Sequence, residues 1–287
     1  MVAPGLRQRA RVAARPREAS RRTAGATGAR RRFGPGANLV VGGGMVALLV
    51  AMALLAPVLA PAPPMEIRPG LRLLPPSPGH PFGTDPFGRD LFSRVLFGAR
   101  LALGVSAGAT ALAAAPGVAL GLLAGYRGNG WDQVLSRLVD AWLSFPGLLL
   151  AVVLVARLGP SLTSTMWALG ILGVPAFYRL ARAGALSARH AAYVEAARAI
   201  GASEGRILLR HVLPELASPL VVLCTLRLGT VLLAVGGLSF IGLGAQPPQP
   251  EWGALLAAGR DYMHSAWWLA FFPGAAIAWS VMGFNLL

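Results

Sequence analysis

Few groups in this sequence could make or break a bond. Asp85 and Asp90 stand close together in "HPFGTDPFGRDLFSRVLFGAR", His80 to Arg100, and two carboxylates so placed could share a divalent cation. Arg89 and Arg94 are interleaved with them, while Pro81, Gly83, Pro86 and Gly88 dictate turns. The pattern therefore reads as a salt-bridged turn, and no metal site is expected. Four histidines are scattered without the partners of a nucleophilic triad, and no HExxH helix occurs. A phosphate-binding GxxxxGK[ST] loop needs a lysine. All 26 basic residues are arginine, so the chain carries no such ATP site of its own. The single cysteine, Cys224, excludes an internal disulfide and a multi-cysteine metal centre, and within its apolar run it reads as a small buried hydrophobe. No catalytic residue and no cofactor bound by the chain itself is expected.

The notable polar chemistry lies in "YVEAARAIGASEGRILLRHVLPEL", Tyr193 to Leu216, an island of charge between apolar runs. Tyr193, Ala196, Ala197 and Ile200 recur at helical spacing and predict one smooth face, with Glu195 and Arg198 away from it. Gly201 supplies a left-handed cap that ends this helix. Ser203 is placed to cap a second helix with Glu204 in its first turn, and Leu213-Pro214 opens the next apolar run where a missing donor does little harm. A short helix with alanines on one side suits a groove in a partner protein. An interfacial helix parallel to the membrane is the competing reading. A second oddity is Arg227, a charge inside an apolar run, which marks a functional position if it faces a water-filled path and a snorkelling side chain if it does not.

The elements that must position these residues follow from composition. Hydrophobic residues make up 55% of 287 positions and charged residues only 13%, a balance that points to a polytopic membrane protein. Six uncharged or nearly uncharged runs predict six transmembrane helices: Leu39 to Ala60, Leu101 to Gly125, Leu138 to Ala156, Leu158 to Tyr178, Leu216 to Gly244 and Ala266 to Leu287. Glycines at 104, 108, 117, 121 and 125 give small-xxx-small spacing for close helix packing, and Pro116, Pro146, Pro175, Pro219 and Pro273 predict kinks. From Asp90, Leu91, Val95 and Leu96 fall opposite Arg94 and predict an amphipathic helix on the membrane surface. Arg137 and Asp140 predict a local ion pair.

The charge is unevenly spread. Ten arginines lie in the first 36 residues, where Glu18 is the only acid. This tail, 1–36, reads as disordered. It fits a positive-inside anchor facing anionic lipid; an arginine-rich transit peptide is the alternative, and nucleic-acid binding is not expected without an aromatic or structured module. With the amino terminus inside, the arginines of the tail, of the 126–137 turn and of the 179–210 segment all fall in the cytoplasm. The expected organisation is the tail, a first span over 37–60, an outer loop over 61–100, and a five-helix core over 101–287 that contains the charged loop, about 187–214.

Several segments together carry a family resemblance. Glu195-Ala196-Ala197, then Gly201, then Leu213-Pro214 is similar to the EAA loop of inner-membrane permease subunits of binding-protein-dependent ABC importers. "RHVLP", with His211 where the general pattern has isoleucine, resembles the peptide-importer branch. So do "GTDPFGRDLFSRVLFGARLALGV", "AGYRGNGWDQVLSRLVDAWLSFPGLLLA", "LSFIGLGAQPPQPEWG" and "FFPGAAIAWSVMGFNLL". The match is nearest to the second permease of dipeptide, oligopeptide and nickel transporters. The resemblance implies an all-α membrane protein with a type I importer fold, in which Glu195, Ala196, Ala197, Gly201, Ser203, Leu213 and Pro214 form a cytoplasmic coupling helix and its hinges. It implies a homologous second permease, two ATPase subunits that hold ATP and Mg, an extracytoplasmic solute-binding protein, and a bacterial or archaeal cytoplasmic membrane. Peptides are the expected substrate, nickel or another small solute the alternative, and a transport-inactive scaffold the rival of a different class. Two departures stand out: "AVGGLSF", with Val235 and Gly236 where relatives often carry a polar residue, and the ending Asn285-Leu286-Leu287, where relatives continue into a short polar tail.

Overall fold

The computed structural model describes residues 35–287, so the reading of the basic tail lies outside the described residues. Within them the protein is all-helical: α1 Pro35–Leu59, α2 Leu91–Arg127, α3 Asn129–Leu143, α4 Gly147–Leu158, α5 Leu162–Ala188, α6 Ala192–Ala199, α7 Glu204–Ile207, α8 Leu213–Glu215, α9 Ala217–Phe240, α10 Trp252–Arg260 and α11 Trp268–Leu286. By length and composition α1, α2, α9 and α11 can each cross a membrane, and the bent pair α3–α4 makes a fifth crossing if counted as one. The remaining expected run, Leu158 to Tyr178, falls on α5, which is 27 residues long but is not among the helices apolar enough to count as a crossing; it runs well past Tyr178 and takes Arg179 and Arg182 into the helix.

Three expectations change. The run Leu138 to Ala156 is not one straight helix, because α3 and α4 meet at 86°. Pro146 lies at that corner as the residue before α4, and its missing N–H and fixed φ stop the helix there. The amphipathic segment from Asp90 is not a separate surface helix either. It is the opening of the 37-residue α2, and Arg94, expected to face water, is 3% exposed beside Leu91 at 1%. Its guanidinium is held by the Pro64 carbonyl at 2.9 Å and stands 3.8 Å from Asp85. Pro219, expected to kink its span, falls in the first turn of α9 where no intrahelical donor is lost. Pro116, Pro175 and Pro273 do lie inside helices.

Packing centres on α2 against α5. The small-residue ridge explains it: a Cβ added at Gly117 would stand 2.7 Å from the Phe177 Cβ, and at Gly121 and Gly125 it would meet the Tyr178 and Arg182 carbonyls. Without a hydrophobic force between helices in lipid, such close backbone approach is what holds them together. Gly104 faces open space and does not take part. Three buried clusters follow the bundle: one where α1, α10 and α11 meet the start of α2, one in the middle with α9, and one where the α6–α8 segment meets the ends of α2 and α5.

The end near Asp90 is fastened by polar contacts. Asp90 caps α2 by accepting from the Ser93 backbone and hydroxyl, each at 2.8 Å, and pairs with His80 at 2.9 Å. Asp85 accepts from Arg89 at 2.6 Å and from the Phe87 and Arg89 backbone. Both carboxylates are therefore engaged in the turn. Glu251 caps α10 through the Ala254 N–H at 3.0 Å, and its burial pushes its carboxyl above the ordinary carboxylate range. Cys224, expected to be buried, is only half-buried and free.

Candidate functional site

The charged island folds as the sequence pattern requires, with one rearrangement. α6 ends in a Schellman turn: Gly201 N–H reaches the Arg198 carbonyl at 2.9 Å and Ala202 N–H reaches Ala197 at 3.0 Å. Gly201 sits at φ +83, in the left-handed region, although a side chain there would meet nothing within 4 Å. The requirement for glycine is one of backbone conformation rather than space. Ser203 occupies the first position before α7, yet its hydroxyl makes no capping hydrogen bond. Next comes a π turn over Leu208–Val212, in which Leu213 N–H bonds the Leu208 carbonyl. Pro214 follows directly, and the wider turn eases the clash its ring would make with the carbonyl four residues back.

The face expected from Tyr193, Ala196, Ala197 and Ile200 divides in two. Val194 and Ala197 turn inward, at 0% and 5% exposure, and pack with Ile207, Leu208, Val212 and the α2 and α5 ends. Glu195 and Ala196 are exposed, and Ile200 is 86% exposed. Tyr193 donates to Glu215, joining α6 to α8, and burial followed by that bond pushes its phenol up to about 12. The spacing rule located a helix but could not say which side the rest of the chain would cover. Ala197, which turns inward from the face expected to meet a partner, is the residue this misjudged.

Behind the loop, α5 is tied to α3 by contacts absent from the local pattern. Arg182 Nη2 bonds Asp132 at 2.7 Å, with a second contact from Nε. Arg179 pairs with Asp140 at 2.7 Å, so the expected Arg137–Asp140 pair gives way to a long-range one. The reason is the tight turn at Gly128, φ +65, which folds α3 back beside α5. Ser136 and Tyr178 add a contact at 3.1 Å.

Arg227 lies eleven residues into the apolar α9 and is half-buried. Its Nη2 donates to the Leu169 carbonyl of α5 at 3.2 Å, while the enclosed Nε has no partner. The side chain turns toward α5, and among the described residues it forms no ion pair.

The segment is thus a helix, a left-handed stop and a return toward α9, packed on the ends of α2 and α5. Residues 117–287 match the family described as the inner membrane component of binding-protein-dependent transport systems. The chain belongs to that family. Residues 29–76 of this permease also match the N-terminal transmembrane domain of oligopeptide transport permease C. It is 44% identical over 248 residues to the dipeptide transport system permease protein DppC of Alkalihalophilus pseudofirmus, covering 86% of this chain and 82% of the relative. It is 43% identical to the probable D,D-dipeptide transport system permease protein DdpC of Escherichia coli K12, over 84% of this chain and 81% of that one. It is 42% identical to the di/tripeptide transport system permease protein DppC of Pseudomonas aeruginosa, over 84% and 81%. The permease thus aligns with these proteins through the bundle and the loop together.

Proposed function

We propose that this permease is one half of a heterodimeric pore that imports di- or oligopeptides across a bacterial or archaeal cytoplasmic membrane, driven by ATP hydrolysed on separate subunits. The names of the related permeases support the peptide substrate, and the absence of any lysine supports placing ATP and Mg on partner subunits. A homologous permease would complete the pore, two ATPase subunits would drive it, and an extracytoplasmic binding protein would deliver the peptide. The amino terminus and the α6 loop would face the cytoplasm, as the arginine bias favours.

The observation that carries this reading is the division of the loop into an inward anchor and an outward tip. Glu195, Ala196 and Ile200 form a small docking surface for a groove in the ATPase. Ala197 fixes that surface to the bundle, and Gly201, Ser203, Leu213 and Pro214 make the rigid return. A push on α6 passes through Val194 and Ala197 to the ends of α2 and α5, and from α5 to the α3–α4 corner through Arg182–Asp132 and Arg179–Asp140. ATP binding moves the pore only to the extent that the ATPase docks differently in its two states.

The test is ATP hydrolysis by the assembled complex in lipid nanodiscs, with and without peptide-loaded binding protein. Proline locks φ near −65°, so Gly201→Pro destroys the turn; we expect the variant to assemble and to lose stimulation by the binding protein. Unchanged stimulation would remove the loop from the mechanism.

A further inference from the structure

On the same end of the bundle, a hollow of 480 Å³ opens between the C-terminus of α2, the start of α3, and the turn from α5 into α6. Arg127, Arg189 and Arg198 line it, with His190 beside them and Glu204 as the one acid. The neighbouring Arg179 and Arg182 have carboxylate partners, whereas none of these three is in an ion pair among the described residues. Arg198 lies 5.3 Å over the ring of Tyr126, whose own hydroxyl is enclosed, in a residue 4% exposed, without a hydrogen-bond partner. The hollow thus gathers guanidinium groups without carboxylate partners, which suits a group with several acceptor oxygens.

What the group is attached to follows from α3. α3 is set at 86° to α4, so the two do not run on as one straight helix. Trp131, at the rim of the hollow, is 69% exposed, and Val134 and Leu138 continue its apolar face. An amphipathic helix with a tryptophan at its edge belongs at the headgroup level. We infer that the hollow holds the phosphate of an anionic lipid from the leaflet on the α6 side, with the acyl chains against Trp131, Val134 and Leu138. Because Arg198 belongs to α6, Arg127 to α2 and Arg189 to the end of α5, one headgroup would bridge the loop to the two helices that it packs on. The binding itself does not depend on what α6 docks against.

The assembled transporter, purified from nanodiscs of phosphatidylcholine mixed with phosphatidylglycerol, is examined by native mass spectrometry for retained phosphatidylglycerol. The wild type is expected to retain a lipid that the Arg127→Gln/Arg189→Gln variant binds roughly thirtyfold more weakly, the effect of two basic groups beside an anionic surface. Arg127→Gln alone, at an exposed position, is expected to give part of the loss, and Arg260→Gln none. Inorganic phosphate is expected not to displace the lipid, since it lacks the chains. Equal retention in all variants overturns the proposal, and displacement by inorganic phosphate assigns the hollow to a free anion. Crosslinking of an Arg127→Cys variant to an acidic partner protein, with no lipid lost in the arginine variants, overturns it in favour of a protein contact.

Discussion

Gly201 and Arg227 are the two positions where a single residue type decides what the chain can do. Gly201 holds a left-handed backbone that costs a side-chain-bearing residue about 1–2 kcal/mol, and the turn it makes sets the direction in which the chain leaves α6. Arg227 is a charge among apolar neighbours whose contacts within the described residues amount to one carbonyl. Such a group is expensive in a membrane, and the proposed pore would offer it a water-filled path or an acid of the second permease. We propose that it borders the translocation path. Uptake of labelled peptide by proteoliposomes should fall about tenfold in Arg227→Ala and recover in part in Arg227→Lys, which keeps the charge but not the planar fork. Full uptake in both variants would place Arg227 outside the path.

At the scale of elements, the loop and the bundle end behave as one packed unit with an exposed tip. Ala197 is at 5% exposure inside the cluster that joins α6 to α2 and α5. A buried, unpaired carboxylate costs on the order of 3 kcal/mol, so Ala197→Asp should lower the melting temperature of the purified complex. Ile200→Asp, at 86% exposure, should leave melting unchanged and cost about 2 kcal/mol of docking affinity, as loss of a central apolar anchor does; titration with the ATPase subunit reads that out. If both variants melted normally, the inward packing of α6 would be wrong. The helices themselves were legible in the sequence because apolar length fixes a span, and the turn at Gly201 because few residues other than glycine enter αL. The α3–α4 corner was hidden because a proline kink and a proline stop have the same local signature. Arg179–Asp140 and Arg182–Asp132 were hidden because their separations of 39 and 50 residues leave no periodic trace. The division of the α6 face depended on which neighbours would cover it, and spacing carries no such information.

For the whole molecule, the pattern of attachment matters more than any one span. The α2–α5 pair, sealed by Gly117, Gly121 and Gly125, runs the length of the bundle. At one end it meets the α6–α8 segment, and at the other it meets α10 through Trp252, whose indole donates to the Val95 carbonyl at 2.8 Å. In the proposed transporter a displacement at α6 would act on α2 and α5 together, whose ends it packs against. Interlocked glycine packing of this kind transmits movement rather than absorbing it. In the proposed transporter the fold would act as a lever worked from the exposed tip of α6. The most direct test is site-specific crosslinking from that tip in the assembled, ATP-hydrolysing complex, using a chain in which Cys224→Ser removes the native thiol and Ile200→Cys supplies the probe. The account predicts an adduct with an ATPase subunit whose yield changes between nucleotide-free and ATP-bound states; an actively hydrolysing complex that gave no such adduct in either state would contradict it.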